Sequence, residues 1–166
     1  MEPPLATPAP AAKSDGRLLL GDTPLGQPGD ASARLVRAMA TADVIAAEDT
    51  RRARTLASAL EVTPAGRVLS LFDQNEASRV PMLVDEISAG ATVLLISDAG
   101  MPLINDPGYH LVRRCREAGI RVVPLPGACA ATTALCAAGV ASDRFCYEGF
   151  LPAKTKGRKD TLMALA

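Results

Sequence analysis

The stretch that decides the fold is ATVLLISDAGMPLINDPGYHLVRRCREAGIRVVPLPG, residues 91–127. Its apolar run at 91–97 predicts a buried strand, and the run at 120–126 predicts a second one. Between them, residues 107–119 have the spacing of an amphipathic helix that ends at Gly119. Two strands joined by a helix form a crossover unit, and its strands are parallel.

The same alternation of strands and helices continues toward the amino terminus. It predicts an α/β fold with a mainly parallel sheet sandwiched by helices. Ser32 and Asn75 are predicted to be N-caps, and Gly90 is predicted to end a helix. The further strands are predicted at 17–21, 43–48 and 67–72, and the further helices at 32–42, 50–61 and 76–90.

Both ends of the chain differ in composition from this alternating region. Residues 1–15 are rich in Pro and Ala without periodicity, which is typical of a disordered leader. We expect residues 16–126 to form an N-terminal α/β domain and residues 127–166 to begin a second one. There, residues 144–150 predict a strand, and the basic stretch after them predicts a helix. The sequence therefore predicts a chain truncated within its second domain.

Charge and composition limit the classes of function. The 18 basic and 18 acidic residues give no net charge, so any contact with RNA must be local. Aromatic residues make up 3% of the chain, which argues against a platform that stacks bases. No apolar run reaches the roughly 20 residues that a bilayer span needs, and no secretory signal is recognisable. A cytoplasmic protein without a membrane partner is expected.

The cysteines and acidic residues do not predict a metal site. The four cysteines lack the paired spacing of zinc ligands. Cys129 and Cys136 lie in Ala-rich sequence, where a thiol usually serves as a small buried apolar group. Asp98 and Asp106 could chelate magnesium, but no phosphate-binding Lys or Thr accompanies them. No metal is therefore expected.

Three loops that follow predicted strands are the candidate binding region, because open parallel sheets bind ligands at the carboxyl ends of their strands. The first, GDTPLGQPGD at 21–30, is neither a dinucleotide fingerprint nor a Walker A loop, and a structural turn is the alternative. The third, PLPGACAATT at 124–133, leaves room for a flat ligand at a helix N-terminus, or packs that helix tightly on the sheet.

The second loop, SDAGMPLINDPGY at 97–109, is longer than usual strand-to-helix loops. Its small residues let the backbone approach a ligand, and Asp98 and Asp106 could bind ribose hydroxyls. Alternatively, Asp106 caps the helix that follows and Asp98 only ends a strand.

Charged residues cluster after two other predicted elements. Glu48 and Asp49 follow a buried strand and could orient a substrate hydroxyl. The arginines after them, Arg51, Arg52 and Arg54, could bind phosphates or could simply form salt bridges at the start of a helix. The basic stretch that contains Lys154, Lys156, Arg158 and Lys159 is either an RNA contact or a polar linker.

Several of these motifs together resemble one known family. They are TPLGQPGD (23–30), AAEDTRR (46–52), FDQNEASR (72–79), ISDAGMPLINDPGY (96–109), VPLPG (123–127) and DRFCYEGFLPAK (143–154). In collinear order, they resemble the ribosomal RNA small-subunit methyltransferase I family, within the tetrapyrrole-methylase group of S-adenosylmethionine-dependent enzymes. The resemblance implies 2′-O-methylation of a cytidine ribose in 16S rRNA of the small ribosomal subunit, two α/β domains around a cleft, and a homodimer.

Candidate roles for the charged residues follow from their positions in the sequence, and those for the donor site follow from the resemblance. Glu48 and Asp49 are the candidate catalytic residues, because a base must accept the hydroxyl proton. Arg51, Arg52, Lys154 and Lys156 are the candidate RNA contacts. The residues expected to bind S-adenosylmethionine are Pro24, Leu25, Gly26, Ser97, Asp98, Ala99, Gly100, Pro102, Ile104, Pro126, Gly127, Ala128, Cys129 and Ala130.

Two alternative functions stay open at this point. One is methylation of a corrinoid or porphyrin precursor, against which the ISDAGMP and EGFLPAK stretches argue. The other is a non-catalytic fragment that binds the methyl donor or RNA, because most of a second domain is missing. For the truncated chain we expect little or no activity alone, and self-association.

Overall fold

A computed structural model describes residues 16–165 as a five-stranded parallel sheet with helices on both faces. The strand order is β3-β2-β4-β1-β5, with β4 at the centre. The α/β fold with a parallel sheet is confirmed. The strands are β1 (Arg17–Gly21), β2 (Val44–Ala47), β3 (Arg67–Ser70), β4 (Thr92–Ile96) and β5 (Arg121–Leu125), and the helices are α1 (Ala33–Thr41), α2 (Thr50–Ala59), α3 (Asp73–Ser88), α4 (Tyr109–Glu117), α5 (Ala130–Ala137) and α6 (Thr155–Leu165).

The core forms two apolar layers, one on each face of the sheet. Helices α1 and α2 cover one face with buried residues such as Leu35 and Ala53. Helices α3 and α4 cover the other face with buried residues such as Leu83 and Leu111. All four residues of β2 are buried, as expected for a central strand of a parallel sheet that is covered on both faces.

Helix ends were predicted with mixed success. The Ser32 hydroxyl accepts a hydrogen bond from the Leu35 N–H at 3.1 Å, so this N-cap is confirmed. The prediction that Asn75 is an N-cap is wrong, because α3 begins earlier, after Phe72. Asn75 stands in the first turn instead, where its Oδ1 accepts from the Phe72 N–H at 2.9 Å. It still satisfies a free N–H of the helix start, but from inside the helix.

The prediction that Asp106 caps α4 is also wrong. The N-cap is Gly108, with φ at 123°, which has no side chain to cap the helix. A Cβ on Gly108 would lie 2.5 Å from Leu95 Cδ2. The positive φ favours glycine here, and a larger residue would also displace the Leu95 side chain. Asp106 stays on the loop before α4.

The carboxyl-terminal segment, residues 126–165, packs differently from the rest. None of its residues is buried, and it contains α5 and α6 but no strand, so the strand prediction at 144–150 is wrong. A short run that contains apolar and aromatic residues does not make a strand when no neighbouring strand pairs with it. The prediction of a buried Cys136 is wrong as well, since this thiol is exposed, whereas Cys115 is fully buried in α4.

Two predictions remain, one about the leader and one about membrane-spanning helices. The leader predicted at 1–15 lies outside the described residues. Within residues 16–165, no helix combines the length and apolar character needed to cross a membrane.

Candidate functional site

A crevice opens between the carboxyl ends of β1 and β4. The loop after β1 leads to α1 on one face of the sheet, and the loop after β4 leads to α4 on the opposite face. Adjacent strands whose connections leave in opposite directions create the usual ligand-binding crevice of an open parallel sheet. The first two predicted binding loops therefore lie side by side.

Two hydrogen bonds join these loops across the crevice. The Thr23 N–H donates to the Gly100 carbonyl oxygen at 3.0 Å, and the Gly100 N–H donates to the Thr23 carbonyl oxygen at 2.8 Å. The Thr23 hydroxyl also donates to the Ser97 carbonyl oxygen at 3.2 Å, and the Ser97 hydroxyl donates to Gly100 O at 3.1 Å. Gly100 adopts φ of 80°, which favours glycine at this position.

A small cleft of about 110 Å³ lies beside this bridge. Its walls come from all three predicted loops and from Tyr147. The loops bring together six of the residues expected to bind the methyl donor. These are Leu25, Ala99, Gly100, Ile104, Cys129 and Ala130. Met101 and Ala131 also line the cleft.

The other residues of that predicted set lie around the cleft rather than in its walls. Pro24, Ser97 and Pro102 are buried beneath the loops, where they shape the backbone. Gly26 is exposed with φ of 104° and open space around it. Pro126, Gly127 and Ala128 connect β5 to the cleft residue Cys129, and Asp98 belongs to a neighbouring group of carboxylates.

That group of carboxylates joins the ends of β2 and β4. The Asp98 N–H donates to Glu48 Oε2 at 3.4 Å, and Asp98 Oδ1 accepts from the Asp49 N–H at 3.2 Å. Arg52 forms an ion pair with Asp98 at 3.3 Å. Asp49 is the N-cap of α2, and its Oδ1 accepts from the Arg51 N–H at 2.8 Å. The two predicted catalytic residues are thus adjacent in the chain, but Glu48 accepts a hydrogen bond from the Asp98 N–H, whereas Asp49 accepts one from the Arg51 N–H.

Their environments move their pKa values in opposite directions. Burial raises the pKa of Glu48, and the Asp98, Asp106 and Asp73 carboxylates raise it further. Hydrogen bonds from Arg51 lower the pKa of Asp49 to about 2. A carboxylate with so low a pKa is a weak proton acceptor, whereas Glu48 gains affinity for a proton.

The residues predicted to contact RNA divide into two groups. Arg51 and Arg52 are both in ion pairs with site carboxylates, at 2.8 Å to Asp49 and 3.3 Å to Asp98. Lys154 and Lys156 are exposed at the start of α6 and do not line the cleft. The alternative of a salt-bridged helix start therefore describes how Arg51 and Arg52 are held in this structure.

Sequence analysis missed Asp22, which directly follows β1. Its side chain is 3% exposed, and neither carboxylate oxygen has a hydrogen-bond partner among the described residues. Burial raises its pKa to about 6. A Cβ on Gly127 would lie 3.1 Å from Asp22 Cγ, so the third loop passes directly over this carboxyl group. The only signal in the sequence was an acid immediately after an apolar strand.

The acidic residues of the site do not form a recognisable metal centre. No group of three or more His, Cys, Asp or Glu side chains is placed to hold a metal ion within residues 16–165. The observed ion pairs between carboxylates and arginines account for Asp49 and Asp98 instead.

Comparison with known proteins gives the family. Residues 23–166 match the family model of Tetrapyrrole (Corrin/Porphyrin) Methylases. The chain is 60% identical over 153 residues to ribosomal RNA small subunit methyltransferase I of Mycobacterium tuberculosis, covering 92% of this chain and 54% of that protein. It is 54% identical over 155 residues to the protein of the same name from Escherichia coli O157:H7, covering 93% of this chain and 54% of that one.

A solved structure shows the same fold. The uroporphyrin-III-C-methyltransferase from Thermus thermophilus superposes with a TM-score of 0.56 at 24% identity, covering 76% of this chain and 53% of that chain. This chain spans about half the length of the curated relatives it matches. Because the family model covers most of the sequence, the chain belongs to the tetrapyrrole methylase family.

Proposed function

We propose that this chain is the donor-binding part of an enzyme that methylates a cytidine 2′-hydroxyl in 16S rRNA, with S-adenosylmethionine as methyl donor. The observation that carries this proposal is the convergence of three loops on one cleft at the carboxyl edge of the sheet. The names of the relatives, ribosomal RNA small subunit methyltransferase I, favour rRNA over a tetrapyrrole precursor as the substrate.

The cleft residues fit one part of the methyl donor. Leu25, Ile104 and Tyr147 offer apolar surface, while Gly100 and Ala130 leave the backbone accessible. Ligand pockets usually enclose roughly 300–1,000 Å³, so the cleft of about 110 Å³ holds only a portion of such a molecule. We assign the remaining enclosure to a second domain that begins after residue 126.

Catalysis then depends on holding the ribose hydroxyl in line with the methyl group and on removing the hydroxyl proton. S-adenosylmethionine supplies, when bound, a methyl group on a sulfonium that leaves as a neutral thioether once the ribose oxygen attacks. Glu48 accepts the proton of that hydroxyl and releases it to solvent. Asp49 instead fixes the start of α2 and holds Arg51, which keeps the strand end in place. Holding the two reactants in line contributes roughly 7–11 kcal/mol at best.

The remaining parts of the proposal concern partners. Lys154 and Lys156 contact rRNA phosphates from the start of α6, and Arg51 and Arg52 contact them from α2. The enzyme acts in the cytoplasm as a homodimer. Its exposed apolar residues in the carboxyl-terminal segment, including Phe150 and Met163, support association with another surface.

Donor binding is the first test. Titration calorimetry with S-adenosylhomocysteine should give measurable heat with the wild-type chain and none with Gly100→Val, because a branched residue at φ of 80° distorts the bridge between the loops. Gly29→Val is the matched control, since Gly29 has open space and an ordinary φ in the first loop. Equal affinity of both variants would mean that the second loop does not contact the donor.

Methyl transfer is the second test. Labelled donor, the enzyme of which this chain is a part and unmethylated small ribosomal subunits should yield 2′-O-methylcytidine after nuclease digestion, with naked 16S rRNA and a porphyrin precursor assayed in parallel. The 166-residue chain alone should yield little or none. Transfer to the porphyrin precursor alone would overturn the rRNA assignment. Where transfer is measurable, Glu48→Gln should lower kcat with donor affinity intact, whereas Asp49→Asn should retain most of kcat because Asn also caps helices well.

A further inference from the structure

A second surface stands out along the β5 edge of the sheet. A groove of about 420 Å³ lies between α1 and the exposed side of β5. Its base is apolar, with Leu19, Ala38, Val123 and Leu125. Four arginines surround this base: Arg17, Arg34, Arg37 and Arg121. We refer to this surface as the basic groove.

The arrangement of these arginines does not stabilise the folded protein. Arg17 and Arg121 are direct neighbours in the register of β1 and β5, where like charges repel. Arg34 and Arg37 lie one turn apart on α1, so their side chains share one side of the helix. None of the four forms an ion pair within the described part of the chain, although Arg113 and Arg114 on α4 both pair with Glu117.

Four unpaired guanidinium groups on a chain of zero net charge form a local binding surface for a polyanion. We propose that the basic groove binds phosphates of the RNA backbone, as a contact separate from the donor-binding cleft. This inference rests on the proposed function, which supplies an RNA substrate. Guanidinium groups suit phosphates because they donate two parallel hydrogen bonds to one phosphate.

The position of the groove defines its role. Arg17 and Arg121 begin β1 and β5, whereas the donor-binding loops follow the last residues of those strands. A strand of this length spans roughly 13 Å, so Arg17 and Arg121 lie too far from the carboxyl edge to touch the reacting ribose. The groove itself extends along β5 as far as Leu125. Its contacts would set the position of the RNA on the enzyme without reading bases.

A second copy of the chain is a poorer occupant than RNA. A two-fold axis at the groove would bring the same four guanidinium groups of each copy against one another. Such an interface would need eight cations to be desolvated without an acidic partner, which is strongly unfavourable.

The test compares two pairs of arginines on exposed helix surfaces. Arg34→Ala with Arg37→Ala removes half of the basic groove, and alanine preserves α1 because it is the strongest helix former. The matched control is Arg113→Ala with Arg114→Ala, which removes two arginines that are already paired. Each protein is titrated by fluorescence anisotropy into a labelled transcript of 16S rRNA at several salt concentrations.

We expect the groove variant to bind the transcript about tenfold more weakly at low salt, with a shallower salt dependence. Loss of two phosphate contacts reduces the slope of log K against log salt by roughly 1.4–1.8. The control variant should match the wild type. Equal affinity and slope for the groove and control variants would overturn the proposal, as would failure of the wild type to bind the transcript.

Calorimetry with S-adenosylhomocysteine separates this proposal from the proposed function. All three proteins should bind that ligand equally, because the groove and the cleft share no lining residue. If the wild type binds the ligand but the groove variant keeps full RNA affinity, only the groove inference fails. If no protein binds the ligand, the assignment of the cleft fails instead. A change in sedimentation without a change in RNA affinity would identify a self-association surface and also contradict the proposal.

Discussion

The sheet, residues 17–125, and the carboxyl-terminal segment, residues 126–165, are stabilised in different ways. Among residues 16–165, every buried residue belongs to the first region, and the second has none. Large apolar residues of the segment stay exposed instead. The difference shows that, within the described residues, the buried core is formed by the sheet and by α1 to α4 alone. The exposed residues are Val140, Phe145, Tyr147, Phe150, Leu151, Leu162, Met163 and Leu165.

The sharpest test of this contrast is one substitution in each region. Leu83→Ala in α3 should lower the free energy of unfolding by about 2–5 kcal/mol, because the side chain is fully buried and leaves a cavity. Leu162→Ala in α6 should change it by less than about 0.5 kcal/mol, since that side chain is 50% exposed. Chemical denaturation monitored by circular dichroism measures both, and similar losses would contradict the contrast.

The second prediction concerns pH and the boundary between the two regions. Burial raises the pKa of Asp22 from 3.8 to about 6, so the folded state binds a proton that the unfolded chain releases above pH 4. The sign follows from this: stability is highest when Asp22 is protonated and falls as the pH rises from about 4 to about 6. The loss amounts to about 3 kcal/mol at pH 7.

Comparison with Asp22→Asn isolates that effect, because the amide does not titrate. The difference between the two unfolding free energies should grow between pH 4 and pH 7 and then stay constant. A difference that is independent of pH would show that Asp22 is not held in its buried position. Calorimetric unfolding curves across this range give the measurement.

A third prediction concerns a buried polar contact inside the first region. Glu76 is 3% exposed, and its Oε1 accepts a hydrogen bond from the Leu111 N–H at 3.1 Å. Glu76→Ala leaves that buried N–H without a partner and should cost about 1–3 kcal/mol. Asp160→Ala is the counterpart on the exposed α6, where a change within about 0.5 kcal/mol is expected. If both variants unfold at the same denaturant concentration, the Glu76 bond contributes nothing.

The smallest expected effect is at the start of α1. Ser32→Ala removes the hydroxyl that accepts from Leu35 and should cost about 1 kcal/mol. Ser32→Asn should restore nearly all of that loss, because Asn is an equally good N-cap. A loss of stability in Ser32→Asn as large as in Ser32→Ala would show that the helix start depends on something other than this bond.

The sheet could be predicted from the sequence because each of its strands has an apolar run between turn signals. The register and strand order could not, since they depend on contacts between distant residues. The cap predictions failed at Asn75 and Asp106 because side chains of the same type serve inside a first turn or on a loop equally well. The apolar and aromatic residues at 144–150 resembled a strand, but pairing with a neighbour decides whether one forms.

The candidate site was only partly accessible to sequence reasoning. The resemblance to a family pointed to residues from three loops, six of which line one cleft. Nothing in the sequence distinguished Glu48 from Asp49, because their pKa values depend on which neighbours reach them in space. The burial of Asp22 was equally hidden, since it results from the passage of Gly127 over the first loop.

The paired hydrogen bonds between Thr23 and Gly100 have a consequence for the entropy of ligand binding. They make two loops of different sequence a single unit, whose backbone loses its freedom when the chain folds. A molecule that enters the crevice therefore meets a wall that is already ordered, and little of its binding free energy is spent on immobilising the protein. The same link means that a disturbance on either loop reaches the other, even though the residues involved are 77 positions apart.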